Sequence, residues 1–248
     1  MSYFPEHIND EIEDGVYVER RTVIKVSAFA IGSMLLGNYT PLYAEASAPV
    51  KNNPDEETSD IDFNNLLAEV IPKAKKFIKD KEADEEAYLK EITALVSRLK
   101  NITKSTPTNK KIHFSKMYNK FPIKIYQIRM KPGSVLPYHD HRHYNGIIQA
   151  LEGSATVRNF DFAEETKNIY EASSFKIKET QNIVIKTGNV TNLSRTRDNI
   201  HDIRAGKEGV LFLDIFTFLK KNGSSTYLNV DETAVDAKNK IYNASWKK

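Results

Sequence analysis

The sequence predicts a mainly β protein in which two amphipathic helices precede a barrel or sandwich of short strands. Three observations carry that expectation. Apolar residues recur at helical spacing between residues 61 and 99, and the period then switches to two from Ile123 onward. Short β-rich runs follow one another at close spacing with turn residues between them, the pattern of an all-β sandwich or barrel. The chain of 248 residues is 40% hydrophobic and 28% charged, with a mean hydropathy of −0.51. That is enough apolar material for one substantial core and too little for several membrane spans.

Taken in order, the chain opens on an export-type segment, residues 1–48. Arg20, Arg21 and Lys25 precede a charge-free run, residues 26–36, and small residues follow at Ala44, Ala46 and Ala48. A basic pair, a short apolar stretch and an A-x-A-like site make up a secretory signal, and the paired arginines resemble a twin-arginine signal. Glu19 and Val23 depart from the usual twin-arginine residues. The run is far shorter than the roughly 20 residues a spanning helix needs, so no permanent membrane anchor is expected. The mature chain then starts near residues 47–49, outside the cytoplasm, in a periplasm-like compartment. Residues 49–60 are polar and contain proline, as in a linker.

The helical segment, residues 61–104, holds two stripes. Ile61, Phe63, Leu66, Leu67, Val70, Ile71, Ala74 and Phe77 form the first, with a kink expected at Pro72. Tyr88, Ile92, Leu95 and Leu99 form the second. After a break at residues 105–108, strands are expected over 123–130, 146–151, 154–160, 175–177, 183–185 and 210–218 within a barrel spanning 105–240. The lysine-rich residues 241–248 are expected as a basic, frayed tail.

Charge and cysteine content narrow the function classes. Thirty-six Lys and Arg against 33 Asp and Glu leave +3, too balanced for a nucleic-acid binder on charge alone. The absence of cysteine removes disulfides, thiolate zinc sites, Cys nucleophiles and iron–sulfur clusters. A transition metal must then be held by His, Asp or Glu. Of the six histidines, His139, His141 and His143 lie together and His201 lies in a later apolar run. Alternate residues of a strand share a face, so His139 and His141 can offer two nitrogens to one ion, with His201 as a third. Three ligands on one face leave coordination positions open, as a catalytic metal requires. His143 shares the parity of His139 and His141 and is a candidate to hydrogen-bond one of those imidazoles or to replace one as a ligand. Asp202 and Asp214 are candidate orienting partners for an imidazole.

The spacing adds specificity. Gly133, His139, His141, Gly146 and Gly153 stand at the intervals of the first motif of the cupin superfamily, which the chain resembles; Gly146 replaces the usual metal-binding Glu. His201 stands where the second motif has its His. The stretches Phe121-Pro122-Ile123, Lys131-Pro132-Gly133, Pro137-Tyr138-His139-Asp140-His141, Leu151-Glu152-Gly153-Ser154, Asn199-Ile200-His201-Asp202-Ile203 and Phe212-Leu213-Asp214-Ile215 are similar to the iron-dependent thiol dioxygenases. The similarity is greatest to the cysteamine dioxygenase and plant cysteine oxidase branch and covers residues 110–230.

The resemblance implies a cupin barrel of double-stranded β-helix or jelly-roll type. It further implies Fe(II) held by His139, His141 and His201, a small thiol and O₂ as reactants, a sulfinate product and a monomer. Tyr227, in Ser225-Thr226-Tyr227, falls where the cysteamine-type enzymes have an active-site Tyr. A Cys–Tyr crosslink, found in some members, is excluded here by the lack of Cys. Lys116, Arg129 and Arg158 are candidates by position for a substrate-carboxylate clamp. Two alternatives use the same ligands: a three-His cupin oxygenase that cleaves carbon–carbon bonds, and a non-catalytic cupin that binds a metal or small ligand.

Overall fold

The structure is a computed structural model that describes residues 59–164 and 168–247. The export-type segment and all but the last two residues of the expected linker lie outside the described residues. No helix among the described residues is long and apolar enough to cross a membrane.

Two helices come first, α1 (Phe63–Lys79) and α2 (Glu85–Ser97). Each begins at an aspartate whose carboxylate takes orphan amides of the first turn: Asp62 accepts from Asn65 N at 2.8 Å, and Asp84 from Glu86 N and Ala87 N. The helix runs on through Pro72. The predicted first stripe supplies the buried face of α1, Leu66, Val70, Ala74 and Phe77, while on α2 predicted Tyr88 and Ile92 are buried together with Leu89 and Val96, and predicted Leu95 is only partly buried. Phe77 and Tyr88 stack at 4.3 Å between helices.

The remaining chain forms one antiparallel sheet that curls on itself. Its strands are β1 (Ile112–Lys120), β2 (Ile123–Met130), β3 (Val135–Asp140), β4 (Tyr144–Phe162), β5 (Phe175–Lys186), β6 (Val190–Leu193), β7 (Ile200–Phe218), β8 (Leu228–Val230) and β9 (Ile241–Trp246). The order is β1-β2-β7-β4-β5-β9-β8, with β3 on β7 and β6 on β4. The strands β4 and β7 pair along two stretches, and the register shifts near Gly153. At that corner Gly153 and Gly209 have φ of +69° and +80°, and a Cβ on Gly153 would collide with the Gly209 carbonyl oxygen. Only glycine fits.

Alternation along β7 assigns its two faces. Leu211, Leu213 and Ile215 pack with the helices, whereas Val210 and Phe212 join Ile128, Met130, Ile148 and Val157 inside the barrel. Phe216 joins Tyr144 and Phe218. Asp214 therefore faces the interior, between Phe212 and Phe216 on the same side of the strand.

The barrel with two preceding helices is as expected; several strands differ from the sequence reading. The runs 146–151 and 154–160 are one bent strand, as are 175–177 and 183–185. The expected basic tail is corrected: residues 241–246 form β9, which pairs Ala244 with Phe175 and Trp246 with Leu228. Tyr242, Ala244 and Trp246 share one apolar face, and Trp246 packs 4.8 Å from Phe175. The flanking lysines masked that period of two.

Candidate metal centre

The pairing of β3 with β7 sets His139 directly opposite His201, and the end of β3 brings His141 beside them through a His141 N to Asn199 O bond of 2.9 Å. The three imidazoles form a cluster whose ligand atoms all lie within 4.8 Å of one another. They are 1–3% exposed. The Nε2 atoms of His139 and His201 are 3.0 Å apart, the edge two cis ligands span with metal–nitrogen bonds of about 2.1 Å.

Hydrogen bonding selects the ligand atom on His139. Its Nδ1 donates to the Pro137 carbonyl at 2.8 Å, which leaves a lone pair on Nε2 facing the cluster. Both ring nitrogens of His141 and Nδ1 of His201 are buried with no hydrogen-bond partner. Orphaned nitrogens at this depth are costly unless something else occupies them, and converging imidazoles are what a divalent ion would satisfy. Burial pulls the three pKa values down: His139 to about 4, against smaller upward pulls from the Pro137 bond and Asp202, and His141 and His201 well below 6.5. All are neutral at pH 7, the state that ligates.

Beside the cluster is a crevice too tight to admit a water molecule, lined by Gly146, Ile148, Val157, Asn159, Thr191, Asn192, Leu193 and His201. Glycine at 146 leaves the His141 ring its place, since a Cβ there would lie 3.2 Å from it. Tyr227 bridges to His139 on its other side, with ring centroids 5.7 Å apart. The Tyr144 ring packs tilted against His141 with centroids 4.3 Å apart, and its hydroxyl shares a hydrogen bond with that of Ser225. Sequence reasoning missed Tyr144; its signal was its place three residues beyond His141, across the turn that ends β3.

Other expected site residues lie elsewhere. His143 sits half-buried in that turn, which breaks the alternation, and it is not one of the clustered ligands. Asp202 contacts no imidazole: one oxygen accepts from Arg158 Nε at 2.8 Å, the other from Arg204 Nε at 2.7 Å. Lys116 is exposed on β1. Arg129 pairs with Glu152 at 2.8 Å and the Ser105 carbonyl, in a groove shared with Lys110, Glu152 and Glu208 and none of the clustered histidines. Arg158 is engaged by Asp202 and the Tyr138 hydroxyl. Asp214 makes no imidazole bond; its buried Oδ1 has no hydrogen-bond partner, and burial pushes its carboxyl well above the usual range.

Among solved structures the chain is similar to the cupin domain of Cnp3 from Schizosaccharomyces pombe (17% identity, 46% of this chain and 69% of that one, TM-score 0.34) and to a cupin superfamily protein from Desulfitobacterium hafniense (15% identity, 46% and 84%, TM-score 0.33). No match to a curated protein was found. The model of the PCO_ADO family matches residues 67–227, which takes in α2, the cluster and Tyr227, and the chain belongs to this family of plant cysteine oxidases and cysteamine dioxygenases.

Proposed function

We propose that the protein is a non-haem Fe(II) thiol dioxygenase that acts on a small aminothiol. The reaction joins both atoms of O₂ to the thiol sulfur and releases the thiol proton, giving a sulfinate. The observation that carries the reading is the buried cluster of three neutral imidazoles in a chain of this family. His139, His141 and His201 would hold the iron, which supplies open positions for the sulfur and for O₂ and the redox chemistry between them. Three neutral donors leave the ion's charge uncompensated, which favours a thiolate.

The chain's own residues do the rest. Gly146, Ile148, Val157 and Leu193, with Asn159, Thr191 and Asn192, pack the space beside the three histidines tightly enough to exclude bulk water. Tyr227 lies against His139, where its hydroxyl can orient a reactant. An amine on the substrate is favoured over a carboxylate: Asp214 faces the interior with an unpartnered oxygen that can accept from an ammonium. The ammonium charge would draw off the proton that burial otherwise holds on this carboxyl, and among the described residues no lysine or arginine is buried. A thiol bearing a carboxylate finds no cation there.

Export belongs to the same reading. Fe(II) sits low in the divalent affinity series, so folding and loading before export avoids competition from zinc and copper outside. Amino-terminal sequencing of the exported chain should begin near residue 47.

The test is oxygen uptake by the iron-loaded chain with cysteamine, cysteine and 3-mercaptopropionate, with bound iron measured on the same sample. Uptake with sulfinate formation from cysteamine, and at least about tenfold slower turnover of the mercapto acid, is expected. Bound metal without uptake on any thiol overturns the reading.

A further inference from the structure

The ligand-bearing segment has a second face. His139 and His141 point into the cluster, and the residues between and after them all reach one short stretch, Ser225 to Tyr227. Asp140, fully buried, exchanges two bonds with Thr226: its Oδ1 accepts from Thr226 N at 2.6 Å, and its own N–H donates to Thr226 O at 3.0 Å. Arg142 donates from Nη2 to Thr226 Oγ1 at 3.1 Å and lies 3.8 Å from Asp140 Oδ2. Its guanidinium is held from behind by the Tyr170 ring at 4.3 Å. Tyr144 completes the set through the Ser225 hydroxyl.

This stretch precedes β8 and has no regular structure until the single bridge that sets Tyr227 opposite His139. A connection of this kind is ordinarily among the least restrained parts of a fold. Here two consecutive residues are fixed by side chains from the segment that carries His139 and His141, while Tyr227 O accepts from Lys247 N at 2.8 Å beyond β9, so on its His139 side Tyr227 is held by those contacts.

We propose that Asp140, Arg142 and Tyr144 form a clasp that holds Tyr227 against His139, which makes them positioning residues of the metal site. A purely structural role for Asp140 would be global. The clasp is local, because its contacts converge on one stretch and each is made by a different side chain. The consequence for turnover rests on the dioxygenase reading; the clasp itself does not.

Amide hydrogen exchange of the metal-free full chain, followed over residues 222–230, tests it. In Asp140→Ala this stretch should exchange at least about tenfold faster while β2 and β7 exchange at the original rate. Bound iron per chain should remain as in the original protein, and kcat should fall about tenfold or more. Asp140→Asn retains an acceptor for Thr226 N–H and should restore both. Should Asp140→Ala fail to fold, the pair Tyr144→Phe with Thr226→Val removes the other two contacts, leaves the carboxylate in place and should loosen the same stretch. Original exchange rates over 222–230 in these variants overturn the clasp. Faster exchange with unchanged kcat overturns the positioning role. Inactivity of the unsubstituted iron-loaded chain on every thiol refutes the dioxygenase reading alone, since the exchange is read without metal or substrate.

Discussion

Replacing Asp214 with Asn should make the metal-free protein more stable at pH 7 and less selective as an enzyme. The side chain is 3% exposed and faces the barrel interior. Burial alone raises its carboxyl well above the ordinary 3.8, so the native state keeps a proton that the unfolded chain releases. An acid whose folded pKa exceeds its unfolded value lowers stability at high pH, and the loss disappears as pH falls towards the unfolded value. The ceiling at pH 7 is the work of protonating an ordinary carboxyl, about 4 kcal/mol, and at pH 5 it is about 2 kcal/mol. Asn has the same shape and never ionises. Urea unfolding of both chains should show Asp214→Asn ahead by about 1 to 4 kcal/mol at pH 7, with the advantage shrinking by up to about 1.4 kcal/mol per pH unit lost. The variant should also lose its preference for cysteamine over 3-mercaptopropionate. A variant less stable than the original at pH 7, or an advantage that is the same at pH 5 and pH 7, would mean a carboxylate that is ionised and paired, and would refute the reasoning.

Other consequences follow from the same geometry. His139→Ala and His201→Ala each remove one of three converging donors, and bound iron measured by elemental analysis should fall at least about tenfold in each. Asp202→Ala strips a buried carboxylate from Arg158 and Arg204; because Arg158 is only 16% exposed, the urea midpoint should report a loss of about 3 kcal/mol. Gly153→Ala drives a Cβ into the Gly209 carbonyl oxygen at a positive φ, and thermal unfolding should show a loss of at least about 2 kcal/mol.

How far the sequence could be read depended on whether the relevant signal was local. Both helices were legible because their buried faces repeat within the segment: Leu66, Val70 and Ala74 on one, Tyr88, Ile92 and Val96 on the other. The strand β2 was legible for the same reason, with Ile123, Ile125 and Ile128 all buried. The clustering of His139, His141 and His201 was visible from strand parity and from the spacing of Gly133, Gly146 and Gly153. What stayed hidden was long-range. Nothing near Arg129 announces Glu152 as its partner, and nothing near Asp202 announces Arg158, so Arg129 looked available for substrate and Asp202 for an imidazole until pairing brought the partners in. His143 had the right parity, but the turn before β4 shifts it out of the alternation. The aromatic face of β9 was outweighed by the surrounding lysines, whose long side chains lie at the solvent edge of a paired strand as readily as in a frayed tail.

The placement of charge around the cluster gives the site its polarity. Asp202 is the acid nearest in sequence to His201, yet its charge is matched by two guanidiniums on the outer side of β7, and its upward pull on the His139 pKa is outweighed by burial. Asp140 faces away from the ligands, and burial, opposed by the Thr226 bond, pushes its pKa up to about 6. Asp214 alone among these three faces the barrel interior without a charged partner. A divalent ion on the three imidazoles would therefore share the barrel interior with one acid that has no charged partner. A thiolate on the ion fits that arrangement and an ammonium beside Asp214 would favour its ionised form, whereas a carboxylate there would meet no counter-charge. Specificity then arises from what the interior fails to satisfy. Exchanging Asp214 for a neutral residue should alter selectivity among thiols while leaving the iron content of the chain unchanged.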